Sequence, residues 1–128
     1  MEKYKPSRRR ATVDIPKNGD IIYIAFDPSA GVEIPKRRPA VVVSNNQLMM
    51  TSPFVWVVPI SHGKFNGQDY PLHVSLDKRT KIDGTVYTEQ LKSFDYVQRD
   101  WQFIERLPKD LKEEIQNKIR LVIQLDNH

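Results

Sequence analysis

Cysteine is absent from all 128 residues, which excludes disulfides and thiolate chemistry and fits a reducing, cytoplasmic compartment. No apolar run approaches the ~20 residues of a membrane span, and no apolar segment follows the first charges as a secretion signal would, so neither insertion nor export is expected. His62, His73 and His128 show no HExxH spacing and the acids form no EF-hand loop, so no metal site is expected. GxGxxG, GxxxxGK[ST] and GxSxG are missing too, which removes the dinucleotide, P-loop and serine-hydrolase readings; no cofactor is implied.

What is present is a basic end on a neutral body. Met1 to Arg10 carry five Lys or Arg against one Glu and so hold the whole formal net charge of +4. Such an arm suits an anionic partner such as nucleic acid, and equally serves solubility. The length fits one domain. Residues 1–18, polar and interrupted by Pro6 and Pro16, read as a flexible arm, and 19–128 as the folded body. Within it Asp20 to Phe26, Pro39 to Ser44, Phe54 to Ile60, Leu72 to Leu76, Thr85 to Leu91 and Trp101 to Glu105 are short β-rich runs between turn residues, predicting a small, strongly bent sheet or barrel. Pro59 cannot donate to a ladder and belongs at an edge or bulge. Pro108 to Leu125 places Leu111, Ile115, Ile119 and Val122 on one helical stripe, a C-terminal amphipathic helix. Trp56 and Trp101 read as core; Met49 and Met50 read as packing or dimer contact.

The chemistry concentrates in IPKRRPAVVVS, Ile34 to Ser44. An arginine beside a strand offers a planar fork of donors that matches a phosphate. Arg38 stands nearest the strand, and Pro39 biases its backbone toward the extended form. A charge run at this position also blunts an edge strand, and these residues alone leave both readings open.

The order of features decides further. Gly19-Asp20-Ile21, the loop with Asp27-Pro28, Gly31 and Glu33, Arg38-Pro39-Ala40-Val41-Val42-Val43-Ser44, Val58-Pro59-Ile60-Ser61, Tyr70-Pro71-Leu72, Asp83-Gly84 and Glu89-Gln90-Leu91-Lys92-Ser93 follow one another. This series closely resembles the MazF/PemK/Kid family of ribonuclease toxins from type II toxin–antitoxin modules, over roughly Gly19 to Leu125. The resemblance implies an SH3-like, strongly bent β-barrel with a C-terminal helix, a homodimer that cuts single-stranded RNA at short sequences without a metal, and a cognate antitoxin. It assigns catalysis to Arg38 of the RPA motif and to Ser61 of the P-[IVL]-[TS] motif, with Glu33 in the loop. Position 61 is more often threonine in the family; serine keeps the hydroxyl with a less restrained rotamer.

The residues support such a mechanism on their own. RNA supplies its nucleophile as the 2′-OH, so an enzyme need only align it and neutralise the phosphorane. Arg38 suits the second task, and Ser61 can hold a non-bridging oxygen or the 2′-OH. Glu33 is a candidate base. His62 is either an acid or an ordinary surface histidine, and the first role requires the strand to have ended before it. Lys36 and Arg37 would draw the RNA strand in. The loop HGKFNGQD offers Lys64 for the backbone, Phe65 for a base or for the core, and Asn66 and Gln68 for base edges. Glu89, Gln90, Lys92 and Ser93 are further candidates for RNA contact. Two rivals share the expected fold: a non-catalytic SH3-like nucleic-acid or protein-binding module, and a topoisomerase poison like CcdB. The latter's apolar Trp-Gly-Ile tail contrasts with Asp126-Asn127-His128 here.

Overall fold

A computed structural model describes residues 15–26, 37–62 and 70–126. Its elements in chain order are β1 (Asp20–Ala25), β2 (Arg37–Val42), α1 (Asn46–Thr51), β3 (Phe54–Ser61), β4 (His73–Ser75), β5 (Thr85–Tyr87), β6 (Lys92–Asp95), β7 (Trp101–Arg106) and α2 (Lys109–Ile123). The strands form one antiparallel sheet in the order β4-β5-β3-β2-β1-β7, with β6 also beside β3. Among the described residues the sheet does not close, so the expected barrel is an open, bent sheet whose ends are β4 and β7.

β3 makes the bend. Its outer edge pairs first with β6, as far as Val57 opposite Lys92, and then with β5, from Ile60 opposite Val86. Pro59, without an N–H, lies in the gap between these two ladders. Both faces of the central strands are covered, which is why neighbours along a strand are buried together. Ile21, Val41, Val58, Ile60, Val74 and Val86 meet Leu111, Ile115 and Ile119 of α2 on one face. Ile22, Ile24, Ala40, Val42, Val55 and Val57 meet Met49, Phe94 and Tyr96 on the other. Such runs read as continuous rather than alternating apolar segments.

Several boundaries differ from the sequence reading, each for a pairing reason. β2 begins at Arg37, because Arg37 and Arg38 pair with Ala25 and Ile24 of β1, and ends at Val42. The run from Thr85 to Leu91 is not one strand: Gln90 N–H donates to the Tyr87 carbonyl in a turn, and a separate strand, β6, follows. α1 was unmarked by periodicity because it buries only Met49; its signal is Asn45, whose side chain accepts from Leu48 N–H as an N-cap. Asn18, assigned to the arm, donates to the Val43 and Ser44 carbonyls, so the docked chain starts ahead of Gly19. Residues 1–14 lie outside the described residues.

α2 buries Leu111, Ile115 and Ile119 as its spacing predicts. Val122, expected on the same stripe, is exposed, as are Leu121, Ile123 and Leu125, so the last turn is uncovered in a single copy. Trp56, expected in the core, is 41% exposed and Met50 is exposed, whereas Met49 is fully buried. Trp101 packs half-buried against the second cluster. No helix among the described residues is long and apolar enough to cross a membrane.

Candidate active site

β2 and β3 pair through Ala40 opposite Pro59 and Val41 opposite Val58. Opposed residues of an antiparallel pair point to the same face, and alternate residues share it. Carried two residues past the last ladder pair, that register sets Arg38 against Ser61, on the face that carries Ala40 and Pro59. Arg38 is exposed and Ser61 half-buried. Beyond Ser61 the row continues across the sheet, with Ser61 opposite Thr85 and Thr85 opposite Ser75. A guanidinium and three hydroxyls thus occupy successive strands at one level.

Neighbouring groups fix this row. Gly84 has φ +139°, and a Cβ there would press into the Ser61 carbonyl oxygen. Glycine is therefore what allows the chain entering β5 to lie against the end of β3. On the other side, the hairpin pair Ala25 opposite Arg37 closes the base of the segment 27–36. Arg99 holds that base: its Nη1 donates to the carbonyls of Ala25 at 2.7 Å and Phe26 at 3.3 Å, while its guanidinium lies 4.3 Å from the Phe94 ring centroid. Sequence reasoning passed over Arg99, because its target is a carbonyl row far along the chain.

The candidates divide as follows. Arg37 alternates to the opposite face from Arg38 and pairs with Asp100 at 3.6 Å. β3 ends at Ser61, so His62 is outside the ladder and exposed. Glu89 is engaged with His73, Nε2 to Oε2 at 3.1 Å, and Gln90 is exposed in the turn. Lys92 is opposite Val57, on the face of Ser61 but four residues away along β3, whereas Ser93 is opposite Trp56 and shares the other face. The structure therefore does not bring Ser93 to the Arg38–Ser61 row. Glu33, Lys36, Lys64, Phe65, Asn66 and Gln68 lie outside the described residues. Among the described residues no three His, Asp or Glu side chains group as a metal site.

A bent antiparallel sheet backed by a C-terminal helix, with an arginine set against a hydroxyl at the end of two central strands, defines a small, mainly antiparallel β protein. The chain matches, over residues 17–123, the family described as PemK-like, MazF-like toxin of type II toxin-antitoxin system. It belongs to that family. It is 25% identical over 117 residues to the endoribonuclease PemK of Escherichia coli, covering 91% of this chain and 86% of the relative. It is 33% identical over 79 residues to the endoribonuclease toxin MazF of Escherichia coli strain K12, covering 62% of this chain and 68% of the relative. Its fold superimposes on the crystal structure of MazF from Deinococcus radiodurans with a TM-score of 0.72 at 25% identity, covering 85% of this chain and 96% of that one. A MazE–MazF complex from the same organism gives 0.73 at 25% identity with the same coverage.

Proposed function

We propose that this toxin-family chain is an endoribonuclease that cuts single-stranded RNA at short sequences, without a metal, by attack of the substrate's own 2′-OH. The observation that carries the reading is the ladder register that sets Arg38 against Ser61 on one sheet face. Arg38 neutralises the charge that develops on the phosphorane, and Ser61 holds a non-bridging oxygen or the 2′-OH. Glu33 is the candidate base and His62, just beyond the end of β3, a candidate acid. Lys36 and the segment from Lys64 to Gln68 guide the strand, while Arg37, turned to the opposite face toward Asp100, adds only to the positive field that attracts RNA. The products carry a 2′,3′-cyclic phosphate and a 5′-hydroxyl.

Such an enzyme is held off by occlusion, so a cognate antitoxin is expected to lay a disordered acidic or apolar tail over the Arg38 end of β2; the existence of MazE–MazF complexes among the structural relatives supports an antitoxin partner. A homodimer is proposed on the uncovered apolar end of α2 and the groove of about 900 Å³ between α1 and α2, which Trp56, Ile119 and Ile123 line. The reading is consistent with a cytoplasmic protein.

Incubation of the protein with end-labelled RNA in EDTA tests the whole reading. Discrete cuts with cyclic-phosphate ends are expected, and a 2′-deoxy substitution at each cut site is expected to abolish that cut. Cleavage of the deoxy substrate, or no cleavage of any RNA, overturns it.

A further inference from the structure

One level along the sheet from the Ser61–Thr85 pair, three aromatic rings form a column. His73 is opposite Tyr87 in the β4–β5 ladder, and their rings stack at 4.2 Å with planes 14° apart. Tyr70 closes the column from outside, its ring centroid 4.7 Å from that of His73 at 57°. A turn explains the second contact: Tyr70-Pro71-Leu72-His73 has Pro71 at its second position and a bond from His73 N–H to the Tyr70 carbonyl at 2.9 Å, which brings residues 70 and 73 side by side. The turn is pinned from two directions, since the Leu72 carbonyl accepts from Thr88 N–H and hydroxyl, and the Pro71 carbonyl accepts from Lys118 of α2.

The column is built around a buried centre. The His73 side chain is 7% exposed and its Nε2–H donates to Glu89 at 3.1 Å, while Tyr70 keeps 43% of its surface open. An exposed aromatic ring held by a buried ring beneath it and by a pinned turn loses little freedom when a planar ligand stacks on it. Every nucleobase has such a face, and single-stranded RNA is read by stacking unpaired bases on aromatic side chains. In the order β4-β5-β3, strand spacing and rise put His73 roughly 12 Å from Ser61, with Tyr70 beyond it, a span of more than one nucleotide. We propose that Tyr70, backed by His73 and Tyr87, is a stacking shelf for an unpaired base a few nucleotides along from the scissile phosphate. Tyr70 touches the base; His73 is a positioning residue that keeps Tyr70 and Glu89 in place. The inference rests on the ribonuclease reading above.

Abasic scanning separates the two. Cut sites are first mapped on a degenerate RNA pool, and single-turnover cleavage is then measured on RNAs made abasic at each position flanking the cut. With wild-type protein one flanking position should raise the half-saturating protein concentration about 10-fold when its base is removed. Tyr70→Ala should show that 10-fold loss on intact RNA and no further loss on the abasic RNA, with the saturated rate kept; Tyr70→Phe should restore wild-type behaviour. His73→Ala should follow Tyr70→Ala in direction, and unchanged melting temperatures show that the variants fold. If wild type cleaves but the abasic and Tyr70→Ala losses multiply at every position, the shelf is wrong while the ribonuclease reading stands. If Tyr70→Ala alters only inhibition by the cognate antitoxin, the rings serve a protein and the inference fails. No cleavage of any RNA by wild type overturns the reading beneath it.

Discussion

At the scale of single residues, Arg37 and Arg38 illustrate how alternation turns two adjacent cations to different uses. Arg38 shares a face with Ser61, and Arg37 is turned away to Asp100. Arg38→Ala should therefore remove transition-state stabilisation of roughly 3 kcal/mol, ~10²-fold or more in single-turnover rate, with RNA affinity reduced far less. Ser61→Ala should fall in the same direction and be milder. Arg37→Ala should leave the saturated rate intact and only flatten the salt dependence of binding. A wild-type saturated rate for Arg38→Ala would refute the assignment. Gly84→Ala gives a sharper geometric check, because its Cβ would strike the backbone of Ser61 rather than a flexible side chain. Loss of cleavage together with a lowered melting temperature is expected; an active, equally stable Gly84→Ala protein would show that the end of β3 tolerates displacement. Arg38 and Ser61 were legible through the ordered series of motifs that resembles the family, since the residues around Arg38 alone left a solvated charge run open. His73 was not legible: its partners come from a turn and from a register across two strands, neither of which leaves a spacing in the sequence.

At the scale of elements, α2 is tied to the sheet side by Arg79. Its guanidinium grips Asp77 and also donates to both carboxylate oxygens of Asp110 at 2.8 Å, in the first turn of the helix. Hydrogen bonds from Arg79 hold the Asp77 carboxyl down at about 2 and lower that of Asp110 as well. Both carboxylates thus titrate lower in the folded chain than the ~3.9 of an unfolded one, so the stability they contribute is complete above about pH 4 and is lost as the pH falls toward about 2. Arg79→Gln should lower the melting temperature at pH 7, and the gap to wild type should close on acidification through that window. A gap independent of pH would mean that Arg79 acts by packing alone. All three groups are solvent-exposed, so the effect should also shrink with added salt. The helix itself was plain from the spacing of Leu111, Ile115 and Ile119. The split of Thr85 to Leu91 was not, since Thr88 and Glu89 interrupt an apolar run without glycine or proline to mark the turn.

For the molecule as a whole, the sequence reading foresaw a bent β sheet with one C-terminal helix but could not tell a closed barrel from an open sheet. Closure depends on whether the end strands meet, and that is decided by pairing, not by the composition of either strand. The apolar residues left over point to assembly. Leu121, Ile123 and Leu125 are more than half exposed at the end of α2, and the groove between α1 and α2 adds Trp56. Sedimentation at micromolar concentration should return twice the 15.0 kDa chain mass, and Leu121→Asp with Ile123→Asp should shift it toward the monomer. A wild-type monomer would leave that surface to another partner.

The burial of both faces of β1, β2 and β3 has a further consequence, in hydrogen exchange. Backbone amides of Ile21, Ile22, Ile24, Ala40–Val42, Val55, Val57 and Val58 belong to residues buried on one face or the other, so they should exchange only when the whole chain opens. Arg38 and Ser61 project from the last rungs of these same strands. The proposed catalytic pair would then be among the last parts of the protein to lose its geometry on heating, and loss of activity should coincide with global unfolding instead of preceding it. Among the described residues the proposed pair sits on strands, not on a soft segment, which leaves restraint to something laid over it from outside.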